Sequence, residues 1–139
     1  MDKGLKTALY CRAALACDIT IENQEAMLRK YANDNNLDNI AVYTDNGYSG
    51  ANLDRPALLR LQADVEAGLV GVLLVKDISR ISRNFMDVLF FLDGVKSKGV
   101  EIKFVMDGNG YDELPLGAAD LRQALSKYYA TLKKGAKAV

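Results

Sequence analysis

Short β-rich runs alternate with amphipathic stretches along this chain, and the switch between period two and period near 3.6 predicts strands separated by helices. Thr7–Cys11 reads as a first strand. Thr20 is placed to cap a helix from Ile21 to about Asn35, whose apolar side carries Ile21, Met27, Leu28, Tyr31 and Ala32. Ile40–Thr44 reads as a second strand, followed by a loop rich in Gly, Asn and Asp from Asp45 to Arg55. Pro56 suits the first turn of the next helix and Gly68 its C-terminal end. Val70–Val75 is almost wholly aliphatic, as a strand buried on both faces should be. A polar, basic loop from Lys76 to Arg83 leads into a helix from about Asn84 to Lys98, stopped by Gly99. Val100–Val105 is the last clear strand, and beyond the turn-rich stretch from Asp107 to Gly117 a final helical pattern runs from about Ala118 to Lys134. The pattern as a whole predicts an α/β fold with a mostly parallel central sheet flanked by helices.

Composition narrows the function classes. The chain has 139 residues, enough for one domain with a real core. No apolar run approaches the ~20 residues of a membrane helix. Met1-Asp2-Lys3-Gly4-Leu5 offers no apolar signal core, so the expected location is cytoplasmic, with no membrane partner. Basic and acidic residues balance at 18 each, which argues against a general nucleic-acid coat and requires any phosphate binding to come from local clusters. There is no histidine, and Cys11 and Cys17 are the only cysteines. Neither a zinc site nor histidine-dependent nucleophilic catalysis is therefore expected.

Ligands of open α/β sheets collect at the carboxyl ends of the strands, where three loops invite attention. The first is Tyr10-Cys11-Arg12-Ala13-Ala14, in which alternation puts Tyr10, Arg12 and Ala14 on one side and Cys11 on the other. An arginine at a strand end needs an anion, either a carboxylate in an ordinary salt bridge or a phosphate. The second, from Asp45 to Pro56, fails as a calcium loop because Gly47 and Pro56 stand where ligands belong. It also lacks the Gly-Lys-Ser/Thr ending of a P-loop, so by itself it reads as a surface connection. The third, Lys76-Asp77-Ile78-Ser79-Arg80-Ile81-Ser82-Arg83, places Arg80 and Arg83 three apart at the mouth of a helix. Two guanidiniums so spaced can grip one phosphate, and basic residues at a helix start work against its dipole unless something requires them.

Taken together these loops resemble the catalytic domain of the serine site-specific recombinases, the resolvase/invertase family. The resemblance rests on Tyr10-Cys11-Arg12, on Ile21-Glu22-Asn23-Gln24, on the run from Tyr48 to Pro56 and on the run from Val75 to Asn84. Val65-Glu66-Ala67-Gly68 and Lys98-Gly99-Val100 also fit. It extends from about Thr7 to Gly108 and more weakly beyond, and Ser79 brings it closest to the large serine recombinases. It implies a resolvase-like three-layer fold ending in an oligomerisation helix, with residues 1–117 as the catalytic domain and 118–139 as the start of that helix and a basic tail. It also implies double-stranded DNA as substrate, a homodimer or tetramer as the working unit, and chemistry without a metal or nucleotide cofactor. In such enzymes a serine oxygen attacks a DNA phosphodiester, forming a 5′-phosphoserine bond and freeing a 3′-hydroxyl, while arginines stabilise the transition state. By the same resemblance Arg12, Arg55, Arg80 and Arg83 handle phosphate, with Lys76 adding charge. Gln24 matches a polar active-site residue, and Tyr10 the aromatic of the first motif.

Two departures bear on activity. The family motif reads Tyr-x-Arg-x-Ser, and here Ala14 occupies the nucleophile position, where a methyl group cannot attack phosphorus. Cys17, Thr20 and Ser49 lie elsewhere, and a displaced nucleophile is heavily penalised. Nothing in the sequence reads as a separate DNA-binding module, and the tail from Leu132 to Lys137 can touch phosphate only weakly and without specificity. The sequence thus reads as a cleavage-inactive recombinase domain. The alternative is a non-catalytic, recombinase-like module for oligomerisation or for holding DNA ends.

Overall fold

Two faces of one sheet, each closed by helices, make up the molecule in the computed structural model, which describes residues 4–51, 53–106 and 109–110. The strands are β1 (Lys6–Ala13), β2 (Ile40–Asn46), β3 (Val70–Val75), β4 (Glu101–Phe104) and β5 (Asn109–Gly110). The helices are α1 (Asp18–Asp34), α2 (Pro56–Glu66) and α3 (Phe85–Lys96), with a single 3₁₀ turn at Ile78–Arg80. The sheet order is β2-β1-β3-β4-β5. β1 runs parallel to both β2 and β3, β3 is parallel to β4, and only the short β5 is antiparallel.

Strand alternation divides the core in two. Leu9, Cys11 and Ala13 of β1, with Leu74 of β3, meet Ile21, Leu28 and Ala32 of α1 on one face. Ala8 and Tyr10 of β1, with Leu73 and Val75 of β3, meet α2 through Leu58, Leu61 and Val65 and α3 through Val88, Phe91, Leu92 and Val95. The result is the expected three layers. Central β1 and β3 are apolar on both sides because each must feed both cores.

The helix after β1 crosses to one face, while those after β2 and β3 lie on the other. Neighbouring β1 and β3 therefore send their chains to opposite faces, leaving a crevice at their carboxyl ends, which is where an open α/β sheet binds its ligand.

Several boundaries differ from the sequence expectation for local reasons. β1 continues to Ala13 and β2 to Asn46, because pairing of Arg12 with Asp45 and of Ala13 with Asn46 extends the ladder into segments that read as loops. The N-cap of α1 is Cys17, not Thr20; the Thr20 hydroxyl lies inside the first turn and donates to Cys17 Sγ at 3.2 Å. The start of that helix is instead held from outside, since the Cys17 amide donates to Asn46 Oδ1 at 2.9 Å. α2 begins at Pro56 as expected, and Gly68 and Gly99 follow their helices with φ of +76° and +81°. The expected helix from 118 to 134 lies outside the described residues. Among the described residues no helix is long and apolar enough to cross a membrane.

Candidate functional site

The crevice between β1 and β3 is filled by arginines. Arg12, the penultimate residue of β1, is 4% exposed, and Arg55, just before α2, is 1% exposed. Arg80 ends the 3₁₀ turn after β3 with its side chain largely buried, and Arg83 stands exposed a few residues on. The three loops chosen from sequence thus converge on one place.

Among the described residues Arg12 meets no carboxylate. Its Nε donates to the Arg80 carbonyl at 3.1 Å, Nη1 to the Tyr48 carbonyl at 3.0 Å and Nη2 to the Ser79 carbonyl at 2.7 Å. Among the described residues carbonyls take the place of the expected salt bridge: this guanidinium is spread over three neutral acceptors, which fix its plane without cancelling its charge. Burial, then the charge of Arg55, with Arg80 and Arg83 adding, pull its pKa below the ordinary value. An anion entering the crevice would relieve that strain.

The backbone of Arg12 is held as firmly as its side chain. Its amide donates to Gln24 Oε1 at 3.1 Å, and its carbonyl accepts from Gln24 Nε2 at 2.9 Å and from Arg80 Nη1 at 3.2 Å. Gln24, buried on α1, therefore acts as a clamp on the strand that carries Arg12. The Arg80 carbonyl takes a second guanidinium too, from Arg55 Nη1 at 2.9 Å. The nearest acid to Arg80 is Asp77, whose Oδ2 lies 3.8 Å from its Nε; Asp77 Oδ1 also accepts the Ser79 amide and so shapes the turn.

Tyr10 links these arginines to the fold. Its hydroxyl accepts from Arg55 Nη1 at 2.8 Å and donates to Asp45 Oδ2 at 2.7 Å. Burial and the hydrogen bond to Asp45 push the Tyr10 pKa upward, so the phenol stays protonated and serves as a spacer between cation and anion. Asp45 also accepts the amides of Ala57 at 2.8 Å and Leu58 at 3.0 Å, capping α2 from the end of β2. Sequence reading missed Asp45 because it looked like one more loop acid. Its only signal was its position opposite Arg12, a register that sequence does not disclose.

The second loop is tied down rather than free. The Gly47 and Tyr48 amides donate to the Ala13 carbonyl at 2.8 and 3.0 Å, and the Gly50 carbonyl accepts the Arg83 amide at 2.8 Å and the Ser82 hydroxyl at 3.0 Å. A Cβ at Gly50 would lie 2.8 Å from Arg12 Nη2, so any side chain there would displace the guanidinium. At the third loop the α3 N-terminus is not an open anion site, because the Asn84 side chain accepts the Met86 and Asp87 amides. Arg83 reaches Ser49 Oγ at a long 3.4 Å and otherwise faces solvent. Lys76 is half-buried, and none of the cluster's hydrogen bonds involves its side chain. Ala14, the position of the expected nucleophile, is exposed directly beyond β1 on the rim of this cluster.

Known proteins share this fold. The model of the resolvase N-terminal domain family matches residues 7–136. A Bacillus subtilis (strain 168) protein assigned as a DNA recombinase is 35% identical over 92 residues, which is 64% of this chain but only 18% of that protein. The N-terminal catalytic domain of TP901-1 integrase superposes with a TM-score of 0.76 at 27% identity, covering 92% of this chain and 98% of that one. A resolvase family site-specific recombinase from Streptococcus pneumoniae superposes with a TM-score of 0.70 at 26% identity, covering 96% and 93%.

Proposed function

Because the chain belongs to the family of the resolvase N-terminal domain, we propose that its arginine crevice holds the phosphodiester backbone of double-stranded DNA as a serine recombinase catalytic domain does. One observation carries the reading: Arg12 is buried on three carbonyls beside Arg55, Arg80 and Arg83, an arrangement that concentrates positive charge where a phosphate would sit. A small-ligand α/β domain has no need of that set.

The mechanism divides into a part the chain retains and a part it has lost. In strand cleavage a serine Oγ bonds to phosphorus while the 3′-oxygen leaves with the bonding pair and takes up a proton. The negative charge that builds on the non-bridging oxygens would be met here by Arg80, by Arg83 and by Arg12, the last pre-oriented by Gln24 and by the carbonyls of Tyr48, Ser79 and Arg80. Arg55 would act through its place beside Tyr10. At position 14 the methyl group has no lone pair to offer. The proposed protein therefore grips DNA weakly and does not cut it. Residues 1–117 would form the phosphate-handling unit, and residues 118–139 would begin an oligomerisation helix that builds a dimer or tetramer. Ala14 favours the second reading in the same measure: a non-catalytic module that assembles with itself or with active relatives and holds DNA ends.

The test is Ala14→Ser in the chain joined to a recombinase DNA-binding region with its cognate site. The expected result is a covalent protein–DNA adduct stable to denaturant and absent with Ala14. No adduct from a folded, DNA-bound variant would mean that the crevice has lost more than its nucleophile.

A further inference from the structure

The segment that leaves β1 and the loop that follows β2 carry exposed apolar side chains that neither core uses. Leu15 and Ile19 are the most exposed large apolar side chains among the described residues, at 85% and 70%, and Tyr48 is 40% exposed. Single exposed leucines are ordinary on protein surfaces. These three, however, come from two segments bound to each other at one end of the sheet. The Gly47 and Tyr48 amides both donate to the Ala13 carbonyl, and a Cβ on Gly47 would touch Ala16 Cβ at 3.4 Å. The Cys17 amide donates to Asn46 Oδ1, which joins the start of α1, and so Ile19, to the same pair of segments. The Tyr48 carbonyl is meanwhile one of the three acceptors that hold the Arg12 guanidinium. From Ala13 to Cys17 the chain carries no charged side chain, although it directly follows Arg12, on which Arg55, Arg80 and Arg83 act.

Resting on the reading of the crevice as a DNA phosphate site, we propose that Leu15, Ile19 and Tyr48 form an apolar lip that packs on the deoxyribose flanking the gripped phosphate. A DNA strand alternates a charged phosphate with an apolar sugar face, so a phosphate site that selects DNA over a free anion needs an apolar surface one sugar away. Charge complementarity fixes the occupant: whatever covers the lip must also present an anion to Arg12 and Arg83. The lip contributes by removing apolar surface from water, whereas the arginines contribute by releasing counterions. The two leave different salt signatures, which makes them separable. The lip side chains are positioning contacts, with no role in bond making.

The experiment measures binding of the full chain to a short duplex and to inorganic tripolyphosphate across a salt series. It compares the wild type with Leu15→Ser/Ile19→Ser/Tyr48→Ser and with Arg83→Gln. The lip variant should bind the duplex roughly tenfold more weakly, with an unchanged slope of log affinity against log salt and unchanged affinity for tripolyphosphate. Arg83→Gln should weaken both ligands and reduce the salt slope by about 1. Leu15→Met/Tyr48→Phe, which keeps the apolar surface, should bind as the wild type does. If the lip variant binds duplex as the wild type does while Arg83→Gln is weakened, the lip is overturned and the phosphate site stands. If the lip variant loses tripolyphosphate as well, its effect is a distorted crevice and the lip is again overturned. If Arg83→Gln matches the wild type, or the wild type binds no duplex at low salt, the DNA reading falls and takes the lip with it.

Discussion

Arg12 shows how much one side chain depends on a missing neighbour. Its guanidinium reaches the carbonyls of Ser79 and Tyr48 only because Gly50 has no Cβ, and an alanine there would sit 2.8 Å from Nη2 and 3.3 Å from Arg83 Cγ. Neither arginine can retreat without giving up a hydrogen bond or its place in the crevice. Gly50→Ala is expected to leave the fold intact and to weaken duplex binding by about tenfold, near the cost of one misplaced charge-assisted hydrogen bond; gel-shift titration reads it. The two cysteines make a second residue-scale contrast. Cys11 is buried against α1 and its pKa is pushed up to about 12, mainly by desolvation, while exposed Cys17 is lowered by hydrogen bonds from Thr20. One thiol per folded chain should react with iodoacetamide near neutral pH, and peptide mapping should find it at Cys17. In the folded chain Cys11 keeps its proton over a range where the unfolded chain, at 9.0, loses it. The associated stability is full below pH 9.0 and is lost as pH rises toward about 12. Urea midpoints should fall across that window, and less steeply in Cys11→Ala.

Elements are joined here by side chains more than by their own propensities. The N-terminus of α2 has no cap from its own sequence: Arg55 holds the cap position and makes no side-chain cap bond, and Asp45 at the end of β2 accepts the first amides instead. The same carboxylate accepts the Tyr10 hydroxyl, so β1, β2 and α2 meet on two oxygens. Asp45→Ala would strand two buried amides and a phenol and should cost about 3 kcal/mol in urea denaturation. Asp45→Asn, which retains one acceptor, should cost less. Tyr10→Phe should be milder still, because the ring stays in the core and only the link between Asp45 and Arg55 is cut. If all three variants denature alike, the network does not tie the elements together as described.

The whole molecule is organised around the point where β1 and β3 part company. α1 covers one face of the sheet and α2 and α3 the other, so the loops after β1, β2 and β3 all open on the same edge and bring Arg12, Arg55, Arg80 and Arg83 together from as far as 71 positions apart in sequence. The proposed oligomerisation helix from 118 to 134 belongs to this scale. If it assembles the chain, sedimentation should give salt-dependent dimers, and Leu121→Asp/Leu125→Asp should give monomers with unchanged circular dichroism below 250 nm. A strict monomer at high concentration would count against assembly by this chain alone.

The fold class was open to reading because burial imposes period two on strands and period 3.6 on helices. Val70–Val75 matched its strand to the residue, and Pro56 marked the start of α2. The four arginines stood out by residue type and spacing, and the structure brings them to one end of the sheet. What sequence could not supply was anything set by pairing across the chain. The partners of Arg12 are carbonyls, whose identity depends on how distant loops approach. The role of Asp45 depends on β1–β2 register, and the true cap of α1 depends on Asn46 arriving from β2. Local physics writes the elements into the chain. Their electrostatic meeting point exists only once long-range packing has chosen which backbone oxygens surround the charge.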